Sequence, residues 1–281
     1  MTAVGTTSTT GKFADLASGR VHYIEAGSGH PVVLLHGSGP GATGLTNFSP
    51  NIEPLAEHFR VIVPDMPGWG QSDVPGAAGY DHRGTLIELL DALGVESAAL
   101  VGNSMGAVTA IATAVSHPQR VSHLVTMGPP SVGGPLIFSP SGPTEGIRLL
   151  VEASFSPTPE NVKKLVQVMC FDQDLATEEL AQKRSEAALS RPELLESFRT
   201  RFLEYFQRTL ASLAGKTSTI VAPTLLIHGR DDRVSPMEAS LQLASVIPDS
   251  RLLLLNRCGH WTQIEQAAEF NQSVTNFLSQ H

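Results

Sequence analysis

Gly102-Asn103-Ser104-Met105-Gly106 sets a serine between glycines, after an apolar run at 98–101 and before an alanine-rich stretch at 107–112. That order reads as strand, sharp turn, helix, a setting that holds a serine hydroxyl exposed above a sheet as a nucleophile. The flanking glycines remove Cβ atoms that would clash in so tight a turn. The hydroxyl then lies at the positive end of the following helix. A serine hydroxyl is a weak nucleophile until a base takes its proton, and the base needs an orienting carboxylate.

On such a turn the partners follow in the order carboxylate, then histidine. After the apolar run at 224–227 comes His228-Gly229-Arg230-Asp231-Asp232-Arg233-Val234-Ser235-Pro236. Asp232 is expected as the acid, while Asp231, one step earlier, is expected to cap or to face solvent. Cys258-Gly259-His260-Trp261 follows the next apolar run and supplies His260 as the base. Alone, Asp232 could cap a helix starting near Pro236, and His260 could be an ordinary loop histidine. Ser104, Asp232 and His260 together at strand ends, which open on a crevice above the sheet, predict a triad.

Acyl chemistry also needs N–H donors for a developing oxyanion. The amide of Met105, first in its helix, is expected to supply one. The second is expected from Ser38 in His36-Gly37-Ser38-Gly39-Pro40-Gly41, where glycines such as Gly37 and Gly39 let backbone approach a substrate.

The elements that must position these groups are legible. Apolar runs at 31–35, 61–63, 98–101, 123–127, 224–227 and 251–255 read as buried strands. Leu86, Ile87, Leu89, Leu90 and Leu93 mark a helix ended by Gly94. Phe270, Val274, Phe277 and Leu278 mark the last helix. The alternation predicts an α/β fold: a mostly parallel central sheet with helices on both faces, entered by an antiparallel hairpin over 13–26. Between about 135 and 214 no strand signal appears. Thr158-Pro159-Glu160 and Thr177-Glu178-Glu179 read there as helix starts. The expected organisation is therefore a flexible tail over 1–11, a core from 12–134 and 215–281, and a helical lid over 135–214, left through the Gly/Pro-rich stretch 128–135.

Composition bounds the rest. At 281 residues, one large domain with an insertion fits better than two equal ones. A net charge of −8 offers no basic stripe for nucleic acid. No apolar run approaches a membrane span. The start shows no signal-peptide pattern, and two cysteines, Cys170 and Cys258, make no disulfide framework. The expectation is a cytoplasmic protein binding neither nucleic acid nor membrane.

These residues resemble the α/β-hydrolase superfamily along the whole chain, and more closely the meta-cleavage-product hydrolases, which cut carbon–carbon bonds in ring-opened aromatic compounds. The resemblance is carried by 36–42, Asn47, Pro67-Gly68-Trp69-Gly70-Gln71-Ser72-Asp73, 102–106, 229–233 and Gly259-His260-Trp261-Thr262-Gln263-Ile264-Glu265, with Phe171-Asp172-Gln173 and Arg184 in the insertion. It implies the α/β-hydrolase fold and a carboxylate-bearing dienone of the 2-hydroxy-6-oxo-hexa-2,4-dienoate type, cleaved between C5 and C6 after ketonisation. It further implies Arg184 as the cation for the substrate carboxylate, a planar guanidinium suiting that group. Asn47 and Asn103 would line the dienoate end, and Trp261 would pack on the substrate. A homo-oligomer, dimer or larger, is also implied.

Four departures from the family pattern stand out: Ser38 for a glycine, Ala107 for a second glycine, Leu45 for a tryptophan and Met169 for a lid aromatic. They favour a small alkyl C6 substituent over an aryl one. A carboxylesterase or lactonase with the same triad is the alternative, and a non-enzymatic ligand receptor on this fold a more distant one. Arg191 competes with Arg184 but does not match the motif.

Asp65 is expected to pin the turn that follows it, Cys170 and Cys258 to be core, and His228, inside a strand, to pack in the core. His22, His30, His58, His82, His117 and His123 show no metal-ligand spacing. No metal and no organic cofactor are expected.

Overall fold

Consecutive apolar residues, rather than alternating ones, fill the central strands, and such strands are stable only when covered on both faces. The computed structural model describes residues 11–77, 79–132, 136–139 and 142–280 and bears this out. The strands are β1 (Lys12–Leu16), β2 (Gly19–Ala26), β3 (Pro31–Leu35), β4 (Arg60–Pro64), β5 (Ala98–Asn103), β6 (Val121–Met127), β7 (Thr224–Gly229) and β8 (Ser250–Leu255). They form one eight-stranded sheet in the order β1-β2-β4-β3-β5-β6-β7-β8. β1 and β2 make the expected hairpin, β2 pairs antiparallel with β4, and the pairs from β4 to β8 are parallel.

Because successive side chains on a strand point to opposite faces, β3 divides its residues between two cores. Val33 and Leu35 join one cluster with Leu100, Leu86 and Ile111. Val32 and Leu34 join the other with Val101, Phe48 and Phe270. The covering helices are α1 (Gly44–Ala56), α2 (His82–Ala92) and α3 (Met105–Ser116). Helix α2 ends as expected, at Leu93 followed by Gly94 with φ +64°.

Between β6 and β7 the described residues form helices and no strand. These are α4 (Glu145–Phe155), α5 (Pro159–Met169), α6 (Glu178–Leu189), α7 (Pro192–Ser197) and α8 (Leu203–Leu213), the last two joined by a π turn over Phe198–Phe202. Thr158 and Thr177 cap α5 and α6 through their hydroxyls, as expected. This insertion has its own apolar cluster, which takes in Val234 and Trp261 from the sheet side. The chain ends with α9 (Glu238–Val246), α10 (Thr262–Glu265) and α11 (Ala267–Leu278). Phe270, Val274, Phe277 and Leu278 are the buried face of α11. The expected tail over 1–11 lies, apart from Gly11, outside the described residues, as does the expected start of the insertion at 135. No helix among the described residues is long and apolar enough to cross a membrane.

Candidate active site

Ser104 joins β5 directly to α3 with φ +54° and ψ −111°. A non-glycine residue in that region is strained by about 1–2 kcal/mol, and strain of this kind gathers at functional sites. The turn is held by the Ser104 amide, which donates to Met127 O on the adjacent strand at 2.8 Å. The flanking glycines are required by space. A Cβ on Gly102 would lie 2.4 Å from the Gly106 carbonyl carbon, and one on Gly106 2.0 Å from Leu35 O. Met105 opens α3, where the first amides lack helical partners.

Asp232 lies three residues beyond β7, buried. Its Oδ2 is 2.8 Å from His260 Nδ1. Its Oδ1 accepts the amides of Val234 at 2.7 Å and Ser235 at 2.9 Å. One oxygen thus shapes the turn while the other holds the imidazole; α9 begins only at Glu238, so Asp232 does not cap it. Burial works against its ionisation, but the charge and hydrogen bonds of His260 and His228 outweigh it. They hold the carboxyl well below the usual carboxylate range.

Asp231 is partly exposed, as expected, with Arg230 Nε 4.0 Å from its Oδ2. Its amide donates to Cys258 O at 2.9 Å, and its Oδ2 has no hydrogen-bond partner among the described residues.

His260 is 1 % exposed. Its amide donates to Met169 O, the last residue of α5, at 2.7 Å. Its carbonyl accepts from Asn103 Nδ2 at 3.2 Å. Asn103 therefore ties the residue before Ser104 to the candidate base. Gly128 packs under the pair: a Cβ there would fall 2.7 Å from His260 Nδ1 and 3.0 Å from Asp232 Oδ2. The Ser104 hydroxyl makes no hydrogen bond to a described residue, an arrangement common before substrate tightens such sites.

The loop at 36–41 is set by His36, which is fully buried. Its Nδ1 lies 2.7 Å from Gly37 O and its Nε2 accepts the Met66 amide at 2.9 Å. Burial lowers its proton affinity. The Gly37 amide is used by Asn47 Oδ1 at 3.4 Å, and Gln263 Nε2 donates to that same oxygen at 3.2 Å. The next amide, that of Ser38, has no partner among the described residues, and Ser38 is half-buried. Gly37 is close-packed on the nucleophile turn, since its Cβ would be 2.8 Å from Asn103 Oδ1 and 3.4 Å from Ser104 Cβ. Asn47 and Asn103, expected against the substrate, are both buried, and their side-chain hydrogen bonds run to protein.

Arg184 on α6 is 5 % exposed, yet its guanidinium has neither an acidic partner nor a hydrogen-bond acceptor among the described residues. Its guanidinium carbon lies 5.3 Å from the centre of the Trp261 ring. A Cβ on Gly39 would lie 3.9 Å from Arg184 Nη2, and one on Gly41 2.5 Å from Arg184 O. The loop and the arginine are thus in contact. Burial pushes the Arg184 pKa down to about 10, which leaves the side chain charged at neutral pH. Arg191 differs: its Nη1 donates to Gly70 O at 2.8 Å and Ser72 O at 3.0 Å.

Met169 is buried in the same cluster as Leu150, Val234 and Trp261. Leu45, by contrast, is 41 % exposed and lies outside that cluster.

Several contributors were not foreseen. His228, expected only to pack in the core, is buried but also brings Nε2 to 3.3 Å from Asp232 Oδ2. Glu265 accepts the amides of Gly259 at 2.7 Å, Phe171 at 2.7 Å and Asp172 at 3.1 Å, stitching the His260 loop to the insertion. Its motif position was visible; its reach across 94 residues of chain was not. Asp65 pins its turn as expected, accepting Gln71 N at 3.0 Å, and also anchors the start of α1 through Gly44 N at 2.8 Å.

A cavity of about 250 Å³ lies between the loop at 39–43, the Gly68-Trp69-Gly70 turn and helices α6 and α7. Ser104, Asp232 and His260 do not line it, so it is not where the triad would act. Among the described residues no cluster of His, Cys, Asp and Glu is arranged to hold a metal.

Comparison with known proteins agrees with this fold. The family described as the alpha/beta hydrolase fold matches residues 30–267. The chain is 44 % identical to a 2-hydroxy-6-oxononadienedioate/2-hydroxy-6-oxononatrienedioate hydrolase of Burkholderia vietnamiensis, covering 99 % of this chain and 98 % of that one. It is 41 % identical to a 2-hydroxy-6-oxo-6-phenylhexa-2,4-dienoate hydrolase of Comamonas testosteroni, covering 96 % and 97 %. Among solved structures, a mutant meta-cleavage product hydrolase of Pseudomonas fluorescens IP01 complexed with acetates superposes with TM-score 0.86. It is 38 % identical, with 96 % and 98 % covered.

Proposed function

This chain belongs to the α/β-hydrolase family and, within it, to the meta-cleavage-product hydrolases, and from that premise we propose that it hydrolyses the C5–C6 bond of a 2-hydroxy-6-oxo-2,4-dienoate bearing an uncharged, small C6 substituent. The observation that carries this reading is Arg184, a buried cation with no anion of its own beside the glycine loop and Trp261. Burying a charge without a partner is costly, so a carboxylate of the substrate is the natural complement. Trp261 covers the guanidinium face and leaves its edge for two parallel hydrogen bonds.

With the carboxylate at Arg184, the substrate's enol proton moves from the C2 hydroxyl to C5, which creates a C2 ketone conjugated toward the scissile bond. Ser104 Oγ, or a water deprotonated by His260, then attacks the C6 carbonyl. Asp232 holds the imidazole and stabilises its protonated form. The Ser38 and Met105 amides receive the oxyanion. When the C5–C6 bond breaks, its electron pair passes to C5 and into the C2 ketone, and the dienolate takes the proton that His260 removed from Ser104 or water. Water completes the acid on C6 and restores the serine. Residues 135–214 act as a lid in this reading, since α4, α5 and α6 bring Leu150, Met169 and Arg184 to the site.

The relative from B. vietnamiensis carries a dicarboxylate in its name. Among the described residues Arg184 is the one buried Arg or Lys, which equips the interior for a single carboxylate. Leu150, Met169 and Val234 share an apolar cluster with Trp261, the residue after His260, and an apolar C6 group suits them. We also propose a cytoplasmic homo-oligomer. The exposed edge strand β8, with Leu254 41 % exposed, offers a surface for self-association.

The test is to mix the enzyme with the yellow C6-methyl dienolate. Rapid bleaching with multiple turnovers supports the reading, with kcat/KM at least about tenfold above that for a C6-carboxyethyl analogue. Absence of bleaching together with turnover of a short acyl ester would replace it with the esterase alternative. Stoichiometric binding without turnover would point to a receptor.

A further inference from the structure

Of the two groups that touch Asp232 Oδ2, only His260 has a role so far. His228, on β7, places Nε2 2.8 Å from Ser235 O and 3.3 Å from Asp232 Oδ2. Two oxygen acceptors at one ring nitrogen require the proton there. Its Nδ1 lies 2.7 Å from Ser240 Oγ on α9. The hydrogen-bond network thus places a proton on Nε2. His228, Ser240 and Asp232 are all buried. The Val234 and Ser235 amides occupy Oδ1, while Oδ2 has His260 Nδ1 at 2.8 Å and His228 Nε2 at 3.3 Å.

We propose that His228 is a positioning residue: its Nε2–H holds Asp232 Oδ2 in the direction of His260 and draws off part of the carboxylate's charge. This rests on the reading of Asp232 and His260 as acid and base. A carboxylate shared in this way stabilises a protonated His260 less than an unshared one does, so the base lets go of its proton more readily. Other titratable groups nearby are turned elsewhere. The Glu238 carboxylate on α9 accepts backbone amides of Phe138 and Ser139, and Arg233 faces Glu145. Arg230 lies 4.0 Å from Asp231. Cys258, beside Asp231 and Asp232, has its thiol pKa pushed up by burial.

His228→Phe keeps the ring's shape and removes the donor; His228→Gln returns an N–H near the same place. With the C6-methyl dienolate, His228→Phe is expected to lower kcat about tenfold with KM nearly unchanged. The acid limb of kcat/KM should move to higher pH by about half a unit or more, because the unshared carboxylate now favours a protonated base. His228→Gln should recover most of both effects. If His228→Phe fails to fold, Ser240→Ala serves: it leaves the ring in place, frees its tautomer, and should move the limb in the same direction.

The strongly deshielded proton between His260 and Asp232, seen by proton NMR without substrate, should shift in His228→Phe and return in His228→Gln. The idea is overturned if the limb and the resonance stay put in His228→Phe, or, when that variant does not fold, in Ser240→Ala. Loss of thermal stability alone would also overturn it, as that is what mere packing predicts. If wild-type protein shows the resonance but no C–C cleavage, the substrate reading has failed and the resonance still tests His228.

Discussion

The guanidinium carbon of Arg184 lies 5.3 Å from the centre of the Trp261 ring, which puts a buried cation next door to His260. Arg184→Met would remove that cation and keep much of the volume. Loss of a charge-assisted pair of hydrogen bonds should cost about 2–3 kcal/mol in kcat/KM on a dienone carboxylate, roughly a hundredfold. Turnover of a neutral ester should hardly change. Stability to urea should rise by about 1 kcal/mol or more, because an unpaired buried charge has gone. Equal losses on both substrates would sink the carboxylate assignment.

Ser104→Ala should reduce turnover by about 10³-fold or more. Ser104→Gly should be equally inactive yet more stable than Ser104→Ala by about 1 kcal/mol, since glycine tolerates φ +54° without strain. Equal melting temperatures for the two variants would show that the turn stores no such strain.

Gly128 has φ +50°, and a Cβ there would press on His260 and Asp232. Gly128→Ala is expected to lower kcat by about 10–100-fold through displacement of the base, with a smaller effect on KM. A fall in KM-linked affinity alone, with kcat intact, would contradict this placement.

Asp65 links His22, Gly44 and Gln71. Burial opposes its ionisation, but the His22 bond, the nearby His36 and the two amides prevail and lower its pKa. A carboxylate lowered in the folded state binds fewer protons there than in the unfolded chain. Its stabilisation is therefore complete above the ordinary carboxylate pKa, near about 4, and is lost as pH falls below it. Asp232 adds to the same trend. Chemical denaturation between pH 6 and 3 should show stability falling with pH, and Asp65→Asn should flatten that slope. An unchanged slope in the variant would reject the assignment.

Cys170 and Cys258 are free and buried, and burial raises both thiol pKa values. Neither should react with a thiol reagent such as DTNB at neutral pH in the native state, and both should react on unfolding. Rapid native labelling of either would show that the insertion opens over the His260 loop.

Much of this protein is legible along the chain. The strands β3 to β8, the caps at Thr158 and Thr177, the buried face of α11 and the order of Ser104, Asp232 and His260 follow from local patterns. Periodicity, turn chemistry and strand-end position act over a few residues, and a linear reading captures them. The family resemblance adds Arg184, whose role no local pattern of Lys183-Arg184-Ser185-Glu186 could distinguish from a solvated helix face.

Tertiary structure alone decided what each polar group is bonded to. Asn47 and Asn103 turned toward protein, as braces for Gly37 and for the carbonyl of His260. Glu265 joined the base loop to the turn after α5, and His228 came to lie against the carboxylate of Asp232. Such pairings depend on which buried donors and acceptors meet once the sheet and the insertion close over them. Residue types set what each group can do; the fold sets which partner it finds, because a buried polar group must be satisfied by whatever packing brings within reach.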